Sequence, residues 1–388
     1  MASCPAASLE SQSVAATPRP AGLRLVVRDW RELDRPEEIA RWDALAQWAA
    51  EPNPFFESWY LLPSLRALDP AGTVRLACFE ADGELAGILP LRRNWTYYGN
   101  PVPHLRGWRH SNCFLGVPLI ARGLERAFWT SLLDWADSHA GSALLLHLSH
   151  LPLAGPAVAA LRQACASNGR EWAIVERTER AMLAADASPD AYLDAAITAK
   201  KRKELRRQHR RLAERGVLAF SRREGEEGIG DWIAEFLALE RSGWKGAAGS
   251  ALACSPRTEA LFADALRGAA RRGRLERLSL TLDGRPIAML ANFVTPPGAF
   301  GYKTAYDEAL ARFSPGVLLQ LEKLAMLERH GIEWTDSCAA ADHPMIDHLW
   351  RERRAIGRIN VAIGGPARRA VFRLLARRET ASQAGGNA

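Results

Sequence analysis

No run of apolar residues in this chain approaches the roughly 20 that a membrane-spanning helix requires, so no such helix is expected. Cysteine is sparse. Cys4, Cys78, Cys113, Cys165, Cys254 and Cys338 stand far apart, and no two have C-x-x-C spacing. That excludes a zinc knuckle or a disulfide framework and points to a reducing compartment with buried free thiols. Lysine is scarce too, confined to 200, 201, 203, 245, 303 and 323, so the net charge of +7 is carried almost wholly by arginine. The most basic stretch, KKRKELRRQHRR from Lys200 to Arg211, contains no aromatic side chain. It lacks the stacking platforms of a base-reading surface and suits an anionic ligand, a phosphate or an acidic partner better.

What is present indicates a folded protein of two domains. The chain has 388 residues, 48% of them hydrophobic and 24% charged, and one core rarely grows to that length. Residues 1–22 are rich in Ala, Ser and Pro without a basic start or a continuous apolar stretch, which reads as a disordered tail rather than a signal peptide.

Two segments echo each other. DGELAGILPL begins at Asp82 and DGRPIAMLANF at Asp283, each preceded by a strand-like run, VRLACFE and ERLSLTL. Asp-Gly between two such runs marks a hairpin, because both turn residues tolerate positive φ. One hairpin in each half, each preceded by amphipathic helices, indicates duplication of a single plan. The expected helices cover 37–50, 58–67, 124–138, 156–167, 231–244, 257–272 and 316–329, with strands at 23–29, 143–148, 299–306 and 332–336. That alternation implies α/β domains with mixed sheets. Between the halves, Ser188-Pro189 opens and Gly216 closes a basic helix whose Leu193, Ile197, Leu205 and Leu212 form a narrow apolar stripe. The expected units are a tail over 1–22, a first domain over 23–180, the helix over 189–216, a second domain over 217–365 and a tail over 366–388.

The stretch RFSPGVLLQLEKL, Arg312 to Leu324, starts a helix on Ser-Pro-Gly with no acidic residue in its first turn. Ser314 as N-cap and Pro315 at the first helical position make an ordinary helix start. A bare, neutral N-terminus is equally a seat for phosphate, because its exposed N–H groups carry partial positive charge.

The order of two helices, a hairpin, a long strand, a Gly-containing loop opening a helix and a final strand resembles the GNAT acyltransferases. The duplicated form with a basic bridging helix resembles their CelD/FemAB-like branch, through YKTAYDEALARFSPGVLL (Tyr302–Leu319), the segment Trp334–Arg354 and KKRKELRRQHRRLAERG. PNPFFESWY and GILPLRR in the first half match more weakly. The resemblance implies two tandem GNAT-like domains and transfer of an acyl group from a thioester to an amine. It also implies that the pyrophosphate of acyl-CoA rests on the loop holding Arg312, Ser314, Gly316, Val317 and Leu318, with no metal required. This loop has less glycine than is usual in the superfamily, and Pro315 removes one donor. The donor therefore stays open among acyl-CoA, an acyl carrier protein and the aminoacyl-tRNA of FemAB relatives.

Amide formation needs a base for the amine, stabilisation of an oxyanion and a proton for the leaving thiolate. His343 is the expected base, with Asp342 or Asp336 orienting it or binding the amine, and Tyr306 is the expected proton donor. Glu240, Trp244, Lys245 and Lys303 are the expected contacts of the acceptor. Strict alternation would put Tyr302, Thr304 and Tyr306 on one face of the strand and Lys303 on the other. The first half has no counterpart of the Ser-Pro-Gly loop, so a single active site is expected, in the second half. The resemblance further implies a small amine or amino sugar of an envelope polysaccharide or lipid pathway as the acceptor. The expected setting is the cytoplasm, with the basic helix able to touch the inner membrane. A binding or scaffold role without turnover is the remaining reading.

Overall fold

The computed structural model describes residues 22–184, 187–341, 343 and 345–385. In the first half, strands β1 (Arg24–Asp29), β2 (Arg75–Ala81), β3 (Glu84–Asn94), β4 (His104–Gly107), β5 (Leu119–Ile120), β6 (Leu145–Pro152) and β7 (Trp172–Ala184) alternate with helices α1 (Pro36–Trp48), α2 (Ser58–Leu68), α3 (Glu125–His139) and α4 (Pro156–Ser167). Helices α5 (Pro189–Ala196) and α6 (Ala199–Ala213) join the halves. The second half contains β8 (Leu218–Glu224), α7 (Ile229–Ser242), α8 (Trp244–Ala247), α9 (Pro256–Arg271), β9 (Leu275–Leu282), β10 (Arg285–Thr295) and β11 (Gly298–Tyr306). It ends with α10 (Pro315–Lys323), β12 (Trp334–Asp336), β13 (Glu352–Ala362) and α11 (Pro366–Gly385).

Both Asp-Gly pairs form two-residue hairpin turns: φ is +51° and +86° at Asp82 and Gly83, and +50° and +78° at Asp283 and Gly284. Each half also has a parallel pair, β4 with β6 and β11 with β12. The duplication is thus visible strand by strand. The closing strands are exchanged between the halves. β7 pairs with β12 of the second half, β13 pairs with β6 of the first, and β7 and β13 pair with each other. One continuous sheet results, in the order β1-β2-β3-β4-β6-β13-β7-β12-β11-β10-β9-β8.

The main core also crosses the halves. Trp59 of α2 packs on Phe293 of β10 with ring centroids 4.8 Å apart. Gly268 of α9 lies so close to α2 that a Cβ there would sit 2.9 Å from Trp59 Cβ. Each such buried aromatic contributes on the order of 2 kcal/mol.

Two expectations are corrected here. The basic segment is two helices, because Thr198 is extended and caps α6 by accepting from the Lys201 N–H at 3.3 Å. Leu205 and Leu212 are buried as the stripe required. Where a tail was expected after residue 365, the chain is helical over Pro366–Gly385, and Phe372 is buried. Among the described residues no helix is long and apolar enough to cross a membrane.

Candidate active site

The parallel pairing of β11 with β12 ends at Phe300 and Asp336. Beyond that point the strands part, and a cleft of about 560 Å³ opens between Gly301–Tyr306 on one side and Ser337–Ala339 on the other. Residues of α7, α8, α10 and the loop around His343 close it, and Phe114 reaches it from the first half. A strand that has lost its neighbour leaves backbone N–H and C=O groups that a ligand can pair with.

The cleft owes its two-sided lining to a bulge. Ala291 faces Lys303 and Asn292 faces Gly301, so Tyr302 is an extra residue in β11. A bulge breaks the alternation of side chains. Tyr302 and Ala305 therefore lie in the main core, while Tyr306 packs on the separate cluster containing Leu318 and Leu319. The expected grouping of Tyr302 with Tyr306 on one face is overturned by that single residue.

On the α7 side, Lys245 Nζ donates to Glu240 Oε1 at 2.9 Å and to the Thr304 carbonyl at 3.5 Å. Glu240 is buried, and its other oxygen accepts from the Leu252 N–H at 2.8 Å. Lys303 Nζ donates to Asn112 Oδ1 at 2.8 Å and lies 5.4 Å from the centre of the Phe114 ring. Burial, helped by the nearby Lys245 charge, lowers the Lys303 ammonium to about 8. Trp244 stands exposed at the rim. All four expected acceptor contacts thus line one cleft.

His343 lines the same cleft. Its Nδ1 is buried without a hydrogen-bond partner among the described residues. Burial, and then the charge of Lys245, hold the imidazole below its ordinary pKa, so it is neutral at pH 7 and able to take a proton. Asp342 lies outside the described residues. Asp336 does not orient His343: it is fully buried, with Arg180 at 3.4 Å, Arg354 at 3.1 Å and the Cys338 N–H at 2.8 Å taking its oxygens. Those arginines keep it ionised despite its burial. Tyr306 lines the cleft wall. The Cys338 thiol is pushed far up by burial and by the Asp336 carboxylate, which makes it a wall and not a nucleophile.

The expected phosphate loop is only partly open. Ser314 takes left-handed φ, +53°, and its side chain makes no cap bond. Pro315 supplies no donor, and the Leu318 N–H is used by the Ser314 carbonyl at 3.0 Å. The amides of Gly316 and Val317 are what remains. Gly316 is covered, since a Cβ there would lie 2.9 Å from Met345 Sδ and 3.3 Å from Tyr306 Cδ1. Arg312 points away and stacks on Phe313, 4.8 Å from the ring centre.

Sequence reasoning missed Gln320 and Lys323, which enter the cleft from α10 one helical turn apart. Both are almost fully buried, at 1% exposure. Gln320 Oε1 has no hydrogen-bond partner among the described residues. Lys323 Nζ lies 4.7 Å from the centre of the Trp350 ring and directly over Gly301, where a Cβ would be only 2.8 Å away. Burial lowers this ammonium to about 8. Two polar residues on the buried face of VLLQLEK were the available signal. Among the described residues no cluster of His, Cys, Asp or Glu is arranged to hold a metal.

The site's frame has known counterparts. Residues 199–344 match the acetyltransferase (GNAT) domain family. FemX, at 11% identity, superposes with a TM-score of 0.54, over 87% of this chain and 98% of that one. The C-terminal domain of a putative lysylphosphatidylglycerol synthetase from Agrobacterium fabrum gives 0.50 at 13% identity, over 89% and 96%. L-PGS from Bacillus licheniformis gives 0.50 at 13%, over 89% and 97%. No curated protein matches the chain by sequence. Residues 199–344 thus carry the GNAT-domain likeness, and the chain as a whole shares the fold of these structures.

Proposed function

We propose that this protein moves an acyl group from a pantetheine thioester, acyl-CoA, to an amine by direct transfer in the cleft between β11 and β12. The observation that carries the reading is the convergence of unsatisfied groups on that cleft: the Gln320 carboxamide, His343 Nδ1 and the free edge of β11. Buried polar groups without partners are rare and mark where a ligand completes the bonding. A pantetheine arm carries two amides, which match the strand edge and the Gln320 carboxamide.

The amine enters on the side of Glu240, Lys245 and Trp244. Its nitrogen attacks the thioester carbonyl, the C–N bond forms, and the neutral His343 takes the nitrogen's proton. The C–S bond then breaks, and the departing thiolate takes a proton from Tyr306. His343 contributes to the attack and not to donor binding. A small amine or amino sugar is the acceptor class the resemblance brings, with an envelope polysaccharide or lipid pathway as its setting.

A second reading rests on a separate observation. Beside the loop before α10, a furrow of about 480 Å³ is lined by Arg207, Arg211, Arg215 and Arg312, against Glu204 and Glu214. Arg215 and Arg312 both stack on Phe313, which fixes α6 against that loop. An RNA-borne aminoacyl donor would use this furrow, and its binding would weaken steeply with salt.

Titration calorimetry with acetyl-CoA and a long-chain acyl-CoA, at low and moderate salt, tests the two readings. Binding that is lost in Gln320→Ala and Gly316→Glu supports the thioester donor. Binding of tRNA alone supports the second reading. A protein that binds neither takes its acyl group from a carrier protein or is a scaffold.

A further inference from the structure

Among the described residues, the cleft contains more positive charge than its own carboxylates balance. Lys245 is paired with Glu240. Glu308 sits exposed at the mouth and accepts from the Trp244 N–H at 2.7 Å. Lys303 and Lys323 are left. Lys303 has an amide oxygen and an aromatic face as partners. Lys323 has the Trp350 face and no hydrogen bond among the described residues.

The buried carboxylates Glu276 and Asp336 act on Lys323 through space, but among the described residues neither forms an ion pair with it or with Lys303. Glu276 is held by Arg222 at 3.4 Å and Arg329 at 3.3 Å. Asp336 is held by Arg180 and Arg354. Each already has two guanidinium partners. An ammonium taken out of water without an anion is costly, and a protein keeps one where a ligand supplies the anion.

The bulge at Tyr302 gives the two cations complementary positions. It turns Lys303 toward Asn112 and α7, whereas Lys323 comes from α10 and lies over Gly301. Along a strand, Gly301 and Lys303 are separated by about 7 Å. A carboxylate in the gap between β11 and β12 falls within reach of both.

We propose that one of the two substrates carries a carboxylate, which Lys323 and Lys303 seat at the point where β11 and β12 part. This rests on the acyl-transfer reading of the cleft. The carboxylate has two sources: the far end of a dicarboxylic acyl chain on the donor, or the acid group of an amino-acid-like acceptor.

The test uses the full chain, with Lys323→Met and Lys303→Met as variants that keep length and remove charge. Thermal unfolding is followed in sodium acetate and in sodium chloride at equal ionic strength. Acetate is expected to raise the wild-type Tm above the chloride value and to leave both variants unchanged. Two matched pairs then separate the sources. Succinyl-CoA against butyryl-CoA tests the donor, and β-alanine against β-alaninamide tests the acceptor. One pair is expected to show at least a tenfold preference for the carboxylate, lost in Lys323→Met, with the neutral partner's affinity unchanged. An equal response to acetate in wild type and variants, or a preference that survives both substitutions, overturns the proposal. A carboxylate preference in binding without consumption of any amine would overturn the acyl-transfer reading and leave the seat standing.

Discussion

Lys303 of β11 donates to Asn112 Oδ1 across 2.8 Å, a bond between residues 191 positions apart that fixes the first half of the chain onto the cleft of the second. Asn112 belongs to the loop after β4, and its neighbour Phe114 forms part of the cleft wall. The first half thus shapes the site without a phosphate loop of its own. Asn112→Ala leaves Lys303 with aromatic faces alone. KM for the acceptor is expected to rise by about tenfold, as for the loss of one charge-assisted hydrogen bond, with donor affinity unchanged. Steady-state kinetics with each substrate varied separately would show it.

If His343 is the base, as proposed, its neutral imidazole sets the acid side of the pH profile. Its pKa is held below 6.5, so kcat/KM should be flat through neutrality and fall only on acidification, when the base becomes protonated. His343→Ala should lower turnover by roughly 10²- to 10⁴-fold and abolish that acid limb. Donor binding measured by calorimetry should be unchanged.

Lys323 should be a liability for stability. Its folded pKa is about 8 against an ordinary 10.5, so between those values the unfolded chain holds more protons, and stability rises with pH across that window. Below pH 8 the charged, buried ammonium is at its most costly. Lys323→Met is therefore expected to be more stable than wild type at pH 7, by on the order of 2 kcal/mol. The advantage should shrink as pH rises from 8 to 10. Urea unfolding at pH 7, 9 and 10 checks both the sign and the trend.

Asp336 should behave in the opposite way. Removing its charge strands Arg180 and Arg354 in the interior. Asp336→Ala is expected to cost about 3–5 kcal/mol, as for other broken buried ion pairs. The loss should appear in denaturant unfolding, with activity per folded molecule preserved. A catalytic Asp336 would instead give a stable, inactive protein.

Much of this was legible in the sequence, and the limits have physical causes. The Asp-Gly turns were readable because positive φ at two successive positions has a narrow chemistry, and the helices because their apolar stripes have a clear period. The exchanged strands were not. Their sequences, WAIVERTERAMLA and ERRAIGRINVA, mix charged runs with apolar residues and show no clean period-two pattern. Across them Arg358 pairs with Glu176, which puts charged side chains within a central pair of strands. The bulge at Tyr302 was invisible for a different reason: one inserted residue has no compositional mark, yet it reverses the faces of Lys303 and Tyr306. Lys245, Lys303 and His343, which line the cleft, stood out in the sequence because a rare lysine or a histidine near a strand end does. Gln320 and Lys323 lay inside a mostly apolar helix, where polar residues by themselves do not say whether they face solvent or a ligand.

The central claim is acyl transfer to an amine by His343 in this cleft. Amine-dependent release of free thiol from acyl-CoA, with wild type and His343→Ala compared at equal donor saturation, tests it most directly. Thiol release by wild type that requires an amine, and falls at least a hundredfold in a variant that still binds donor, is the predicted result. Equal thiol release by the two proteins, or none from wild type with any amine while donor binds, would contradict it.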